Sequence, residues 1–143
     1  MPAPHALTLA HAMQSGRPVF TAWCTLAAPI VAEQIAREGF AAIVLDQQHG
    51  LYDMASTAAA ISAVHAAGSA PIVRIPVGDF AAASRVLDYG AEAVIAPMIN
   101  TPADAEALAA ATKYPPLGER SWGPHRATAI AGIADPKTYL RHA

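Results

Sequence analysis

Short apolar runs recur along the chain, each preceded by a glycine and closed by a polar residue or a proline. GFAAIVLD from Gly39, GSAPIVRIP from Gly68 and GAEAVIAPM from Gly90 align on that glycine. The glycines suit the left-handed position that ends a helix, and the runs suit strands buried on both faces, as in a parallel sheet. A helix-like stretch lies before each glycine. In APIVAEQIAREG, Ile30, Val31 and Ile35 form an apolar side with Glu33 and Arg37 opposite. YDMASTAAAISAVHAAG is a weakly amphipathic, alanine-rich run with Asp53 as N-cap, and VGDFAAASRVLDYG repeats the plan with Asp79 as the cap. After the last run, TPADAEALAAAT offers Thr101 as N-cap, Pro102 at the first helical position and Asp104 as the reciprocal cap. Pro115 and Pro116 forbid its continuation.

A further strand in RPVFTAWCTL makes four strands, beginning near residues 18, 41, 71 and 93. The chain is predicted to be α/β, with four consecutive β/α units that right-handed crossovers set side by side in one parallel sheet. Four such units make half of an eightfold β/α barrel or a small open sheet, and the periodicity admits both.

Composition narrows the setting. A chain of 143 residues, 54% apolar and 14% charged, suits one globular domain. The net charge of -2 and the singly scattered Lys and Arg residues call for neither nucleic acid nor an anionic membrane. The N-terminal stretch lacks the basic and apolar regions of a leader, and no run approaches the ~18 apolar residues of a membrane span. A cytoplasmic protein is expected. Cys24, the only cysteine, reads as a small apolar core residue in a reducing compartment.

In either architecture, chemistry collects at the carboxyl ends of the strands. Those ends carry Trp23, then Asp46 and His49, then Arg74, then Pro97, Met98 and Asn100. His49 lies just past a buried run, where an imidazole can take and return a proton near neutrality. Asp46, three residues back, is expected to fix its tautomer and favour its protonated form. Arg74 sits inside an apolar run, where an unpaired guanidinium is expensive, so it is expected to face an anion; the alternative is a structural ion pair with Asp46 or Asp79. Asp88 opposes the dipole of its helix, either as a solvated acid or as a carboxylate that reaches the neighbouring strand's histidine. His5, His11, His65, His125 and His142 show no metal-ligand spacing. GERSWG, with Arg120 and Trp122, reads as a surface loop.

GFAAIVLDQQHG, APIVRIP, GAEAVIAPMINTPADAEA and KYPPLGERSWG, in this order, resemble the N-terminal half of the HpcH/HpaI aldolases, from about Leu9 to Leu140. These are class II, pyruvate-dependent carbon–carbon lyases of the 4-hydroxy-2-oxoheptanedioate aldolase type. The resemblance implies that residues 1–143 are the N-terminal part of a single (β/α)8 TIM-barrel aldolase domain, about its first four β/α units, ending before strand five. It implies a divalent metal (Mg, Mn or Co), with pyruvate and an aldehyde, or a 4-hydroxy-2-oxo acid, as substrates, in a homo-oligomer. His49 matches the catalytic base that makes the pyruvate enolate, and Arg74 the arginine that steadies the oxyanion. Asp88 matches the carboxylate that raises that histidine's basicity, and Asp46 the acid that begins the histidine motif. Trp23, Pro97 and Met98 match pocket residues. Gln48 stands where many members carry Glu, which removes one charge from the rim. The family's metal ligands, a Glu and an Asp, are expected beyond Ala143.

Two other readings stand beside this one. A non-catalytic half-barrel would act as an oligomerisation or interaction module, since its open edges and inner face favour pairing. A small complete enzyme would hold its metal on Asp46, Asp53 and Asp79.

Overall fold

The computed structural model describes residues 8–141; His5 and His142 lie outside them. The elements run α1 (Thr8–Gln14), β1 (Thr21–Cys24), α2 (Pro29–Arg37), β2 (Ala42–Asp46), α3 (Met54–Ala66), β3 (Ala70–Arg74), α4 (Phe80–Tyr89), β4 (Ala93–Ile95), α5 (Pro102–Thr112), α6 (His125–Ala131) and α7 (Pro136–Leu140). The four strands are parallel and adjacent in chain order. Every crossover therefore moves the same way along the sheet. That is the winding of a β/α barrel rather than of a doubly wound sheet, whose strand order reverses.

Local chemistry ends the helices where the sequence predicts. Gly39, Gly68 and Gly90 all have positive φ, Gly90 at 107° as the left-handed cap of α4. Asp53 caps α3 in a reciprocal box with Ser56, and Asp79 caps α4 through the Ala82 amide. Thr101 and Asp104 form the box that opens α5.

The sheet separates two apolar layers. Ile43, Leu45, Val73 and Ile75 pack toward the helices with Ile61, Val64 and Val86. Ala42, Val44, Ala70 and Ile72 point to the other face, where Leu9 of α1 covers them. Complete burial of one Ile or Leu side chain contributes about 1.5–3 kcal/mol relative to exposure. The sequence reading did not anticipate α1; Glu92 holds it across the sheet by accepting from the Leu9 amide at 2.9 Å and the Thr8 hydroxyl at 3.1 Å. An apolar cavity of about 300 Å³, lined by residues that include Leu9, Met13, Ile72 and Ile95, lies on this inner face.

The apolar side expected for α2 is corrected in part. Ile35 packs against the core as expected, beside the buried Ala32 and Ala36, while Ile30 is 61% exposed and Val31 is also exposed. Small side chains let the helix lie close to its neighbours, and the larger residue at position 30 is left outside. Cys24 is buried, and burial pushes its thiol up. No helix among the described residues is long and apolar enough to cross a membrane.

Candidate active site

Register decides the centre of the site. Asp46 and Arg74 are partners across β2 and β3 at the carboxyl ends of both strands. The Asp46 side chain, 1% exposed, is met by five donors. Arg74 Nε reaches Oδ1 at 2.9 Å and Arg74 Nη2 reaches Oδ2 at 2.5 Å. Trp23 Nε1 donates to Oδ2 at 3.1 Å. The amides of Gln48 and His49 donate to Oδ1 at 2.9 and 3.2 Å. Burial alone pushes this carboxyl up, but the Arg74 bonds, then those from Trp23 and the two amides, outweigh it and hold the group well below the usual carboxylate range.

Arg74 is therefore clamped on one edge. Its guanidinium carbon lies 4.9 Å from the Trp23 ring centroid, a cation–π contact on the same side chain that binds Asp46. Nε and Nη2 are committed to Asp46, which leaves Nη1 without a protein partner among the described residues. The anion expected opposite Arg74 is Asp46 itself, the structural pairing that the sequence left open.

The expected link from Asp46 to the His49 imidazole is corrected. Asp46 reaches His49 through its backbone amide, and no hydrogen bond to the imidazole forms among the described residues. The carboxylate has spent its acceptor capacity on Arg74, Trp23 and the turn. Its action on His49 is to pin the 46–49 turn, which fixes where the exposed imidazole emerges. Gln47 fastens the same turn from below, its amide donating to Arg74 O at 2.9 Å and its side chain to Thr57 Oγ1 at 2.9 Å. Gln48 Oε1 is buried with no partner among the described residues.

Gly50, to which the sequence reading gave no role, is required by close approach. A Cβ there would lie 2.2 Å from Asp46 O and 2.9 Å from Thr25 O. Both are backbone atoms and cannot swing aside. Pro97 and Met98 follow β4 on the same side of the sheet; Met98 has φ of 60°, a left-handed conformation that costs a residue with a Cβ about 1–2 kcal/mol.

Asp88 is not brought to this rim. Helix α4 runs back against the strands, so its last turn leads into the start of β4, at the opposite end of the sheet from His49. There Asp88 Oδ1 accepts from Arg120 Nη2 at 2.5 Å. In one chain it does not touch the histidine. The surface-loop reading of GERSWG holds for the exposed Glu119, Ser121 and Trp122 but not for Arg120, which is only 4% exposed and lies 4.5 Å from the Tyr114 ring centroid. Trp122 stacks obliquely on Tyr114, with centroids 5.1 Å apart. Burial pushes the Tyr114 phenol up to about 12. His65 is also structural, its Nε2 2.9 Å from Gly90 O.

Among the described residues, no three His, Cys, Asp or Glu side chains cluster to hold a metal ion. Asp53 and Asp79 are helix caps and Asp46 is bound to Arg74, so the carboxylates of this rim do not fit a divalent cation.

Residues 20–138 match the family model described as HpcH/HpaI aldolase/citrate lyase. The chain is 40% identical to a hydroxypyruvate/pyruvate aldolase of Deinococcus radiodurans, covering 99% of this chain and 53% of that protein. It is 37% identical to a 4-hydroxy-2-oxovalerate aldolase of Novosphingobium aromaticivorans, covering 77% of this chain and 42% of that protein. A crystal structure of a HpcH/HpaI aldolase/citrate lyase family protein from Burkholderia cenocepacia superposes with a TM-score of 0.83 at 30% identity, over 96% of this chain and 56% of that one. The chain thus spans about half the length of these relatives, and its four β/α units correspond to about half of their TIM barrel.

Proposed function

Because the chain belongs to the HpcH/HpaI aldolase/citrate lyase family, we propose that its rim makes or breaks the carbon–carbon bond of a 4-hydroxy-2-oxo acid through the enolate of pyruvate. The observation that carries this reading is the Asp46-clamped guanidinium of Arg74 beside the turn that bears His49. In the addition direction, His49 takes a proton from the pyruvate methyl group. The electron pair left on that carbon forms the bond to the aldehyde carbon, the carbonyl π pair moves onto the aldehyde oxygen, and that oxygen takes a proton back from the His49 imidazolium to end as the 4-hydroxyl. Cleavage reverses each transfer, so no oxidant or reductant is consumed.

Arg74 Nη1 is the donor available to an oxygen on which negative charge collects, and its fixed edge keeps reorganisation small at the moment of reaction. Trp23 and Asp46 position that arginine, while Gln48, Pro97 and Met98 flank the opening. The described residues hold no ligand cluster for a divalent ion, so the steps assigned to this chain are those of His49 and Arg74.

The test is proton NMR of pyruvate in heavy water, following loss of the methyl signal. Exchange is expected with the wild-type protein and is expected to vanish in His49→Ala. Wild-type exchange in that variant would remove His49 from the role of base.

A further inference from the structure

We propose that Thr57, buried on α3, is a positioning residue for the proton transfer assigned to His49, acting through Gln47. The inference rests on the pyruvate-enolate reading above and adds to it a group that does not touch the substrate. Helix α3 buries Thr57, Ala60, Ile61 and Val64, which the helical period sets on one stripe against the sheet. Three of the four are apolar, and the first is a hydroxyl that is 0% exposed. A hydroxyl in such a layer costs stability unless it is bonded, and a valine would fill the same space.

The hydroxyl makes two bonds. It accepts from Gln47 Nε2 at 2.9 Å and donates to Asp53 O at 2.7 Å. The second bond is duplicated, because Asp53 O also accepts from the Thr57 amide at 3.0 Å. The bond that only the hydroxyl supplies is therefore the one to Gln47. Gln47 also donates its own amide to Arg74 O at 2.9 Å. It thus joins helix α3 to the strand end that carries the arginine, two positions before His49. Past His49, the Leu51 amide donates to Thr25 O at 2.8 Å. The stretch that carries the imidazole is fixed from β1, from β3 and, through Thr57, from α3. Misplacement of a reacting group by about 1 Å can cost on the order of 100-fold in rate, so the loss of one of these ties is expected to be felt at His49.

The experiment uses the polypeptide as its gene encodes it and records pyruvate methyl exchange and thermal melting for Gln47→Leu, Thr57→Val, the double variant and Thr57→Ser. The double variant separates positioning from packing. It removes both polar partners together and Asp53 O keeps its amide bond, so its melting temperature should stay close to that of the wild type. Its kcat for exchange should nevertheless fall about tenfold at unchanged KM, because the loop loses a tie while the substrate contacts remain. Each single variant should lose about as much as the pair, the mark of one shared interaction. Thr57→Ser keeps the hydroxyl and should retain most of the rate. Gln47→Leu, at a half-buried position, makes the same comparison without altering the core. Folded Gln47→Leu or double-variant protein that exchanges at the wild-type kcat would overturn this inference and leave the enolate reading intact, as would a loss confined to KM. No exchange in the wild-type protein would overturn that reading, and this inference with it.

Discussion

Asp46 and Arg74 face each other across adjacent parallel strands as register partners, and the aspartate grips one edge of the guanidinium with both oxygens. The pair explains why a charged residue ends each of two buried strands. Each neutralises the other, while Trp23 and two backbone amides absorb the remaining acceptor capacity of the carboxylate. What is left over is a single donor edge with a fixed direction.

Asp46→Asn should destabilise the protein by about 2 kcal/mol, below the ~3–5 kcal/mol typical of a broken buried pair because Arg74, 20% exposed, regains some water. The carboxyl is depressed in the folded state, so its contribution is complete above the unfolded value of about 3.9 and is lost as pH falls through the lower folded value. Thermal melts of both proteins should therefore differ at pH 7 and begin to draw together only below about pH 4. A difference independent of pH across that range would show that the carboxylate charge is not what stabilises the turn.

Arg74→Lys keeps the charge but not the fork. An ammonium reaching Asp46 has no planar edge left to offer a substrate oxygen. Turnover of a 4-hydroxy-2-oxo acid should fall about 100-fold, the scale of losing one oxyanion donor. Methyl exchange, which needs His49, should fall less. Equal losses in both assays would assign Arg74 to the proton-transfer step.

The elements whose signals are local were legible in the sequence. Gly90, Asp53, Asp79 and the Thr101–Asp104 box each act within a few residues of where they stand, and the helices begin and end accordingly. Contacts set by tertiary packing were not. Nothing near Asp46 announces that Arg74, rather than the imidazole of His49, takes its carboxylate; that follows from β2–β3 register. Asp88 is fourteen positions after Arg74 in a motif, yet α4 carries it to the far end of the sheet and Arg120 comes to it from a loop that reads as polar surface. Helix α1 depends on Glu92, more than eighty residues away, and α2 packs Ile35 with two alanines against the core while Ile30 stays outside.

Gly50→Ala should test the turn directly. The added Cβ would meet two backbone oxygens at 2.2 and 2.9 Å, so residues 46–50 or the end of β1 must shift. Overpacking of this kind costs about 1–3 kcal/mol. Because the same turn carries His49, pyruvate methyl exchange should drop more steeply than stability. A variant that melts lower but exchanges protons at the wild-type rate would show that the position of the imidazole tolerates the shift.

Asp88→Asn separates a structural role from a catalytic one. Arg120, with its side chain 2% exposed, would be left buried and charged, and its Nε already lacks a partner among the described residues. A loss of about 3 kcal/mol is expected, and a second change, Arg120→Met, should restore part of it by removing the orphaned charge. The acidic limb of the activity profile should stay in place, because Asp88 and His49 stand at opposite ends of the sheet within one chain. A limb displaced to lower pH would mean instead that loss of the carboxylate weakens the imidazolium. That result would require Asp88 of a second copy to reach His49, and it would make the site one that two chains share.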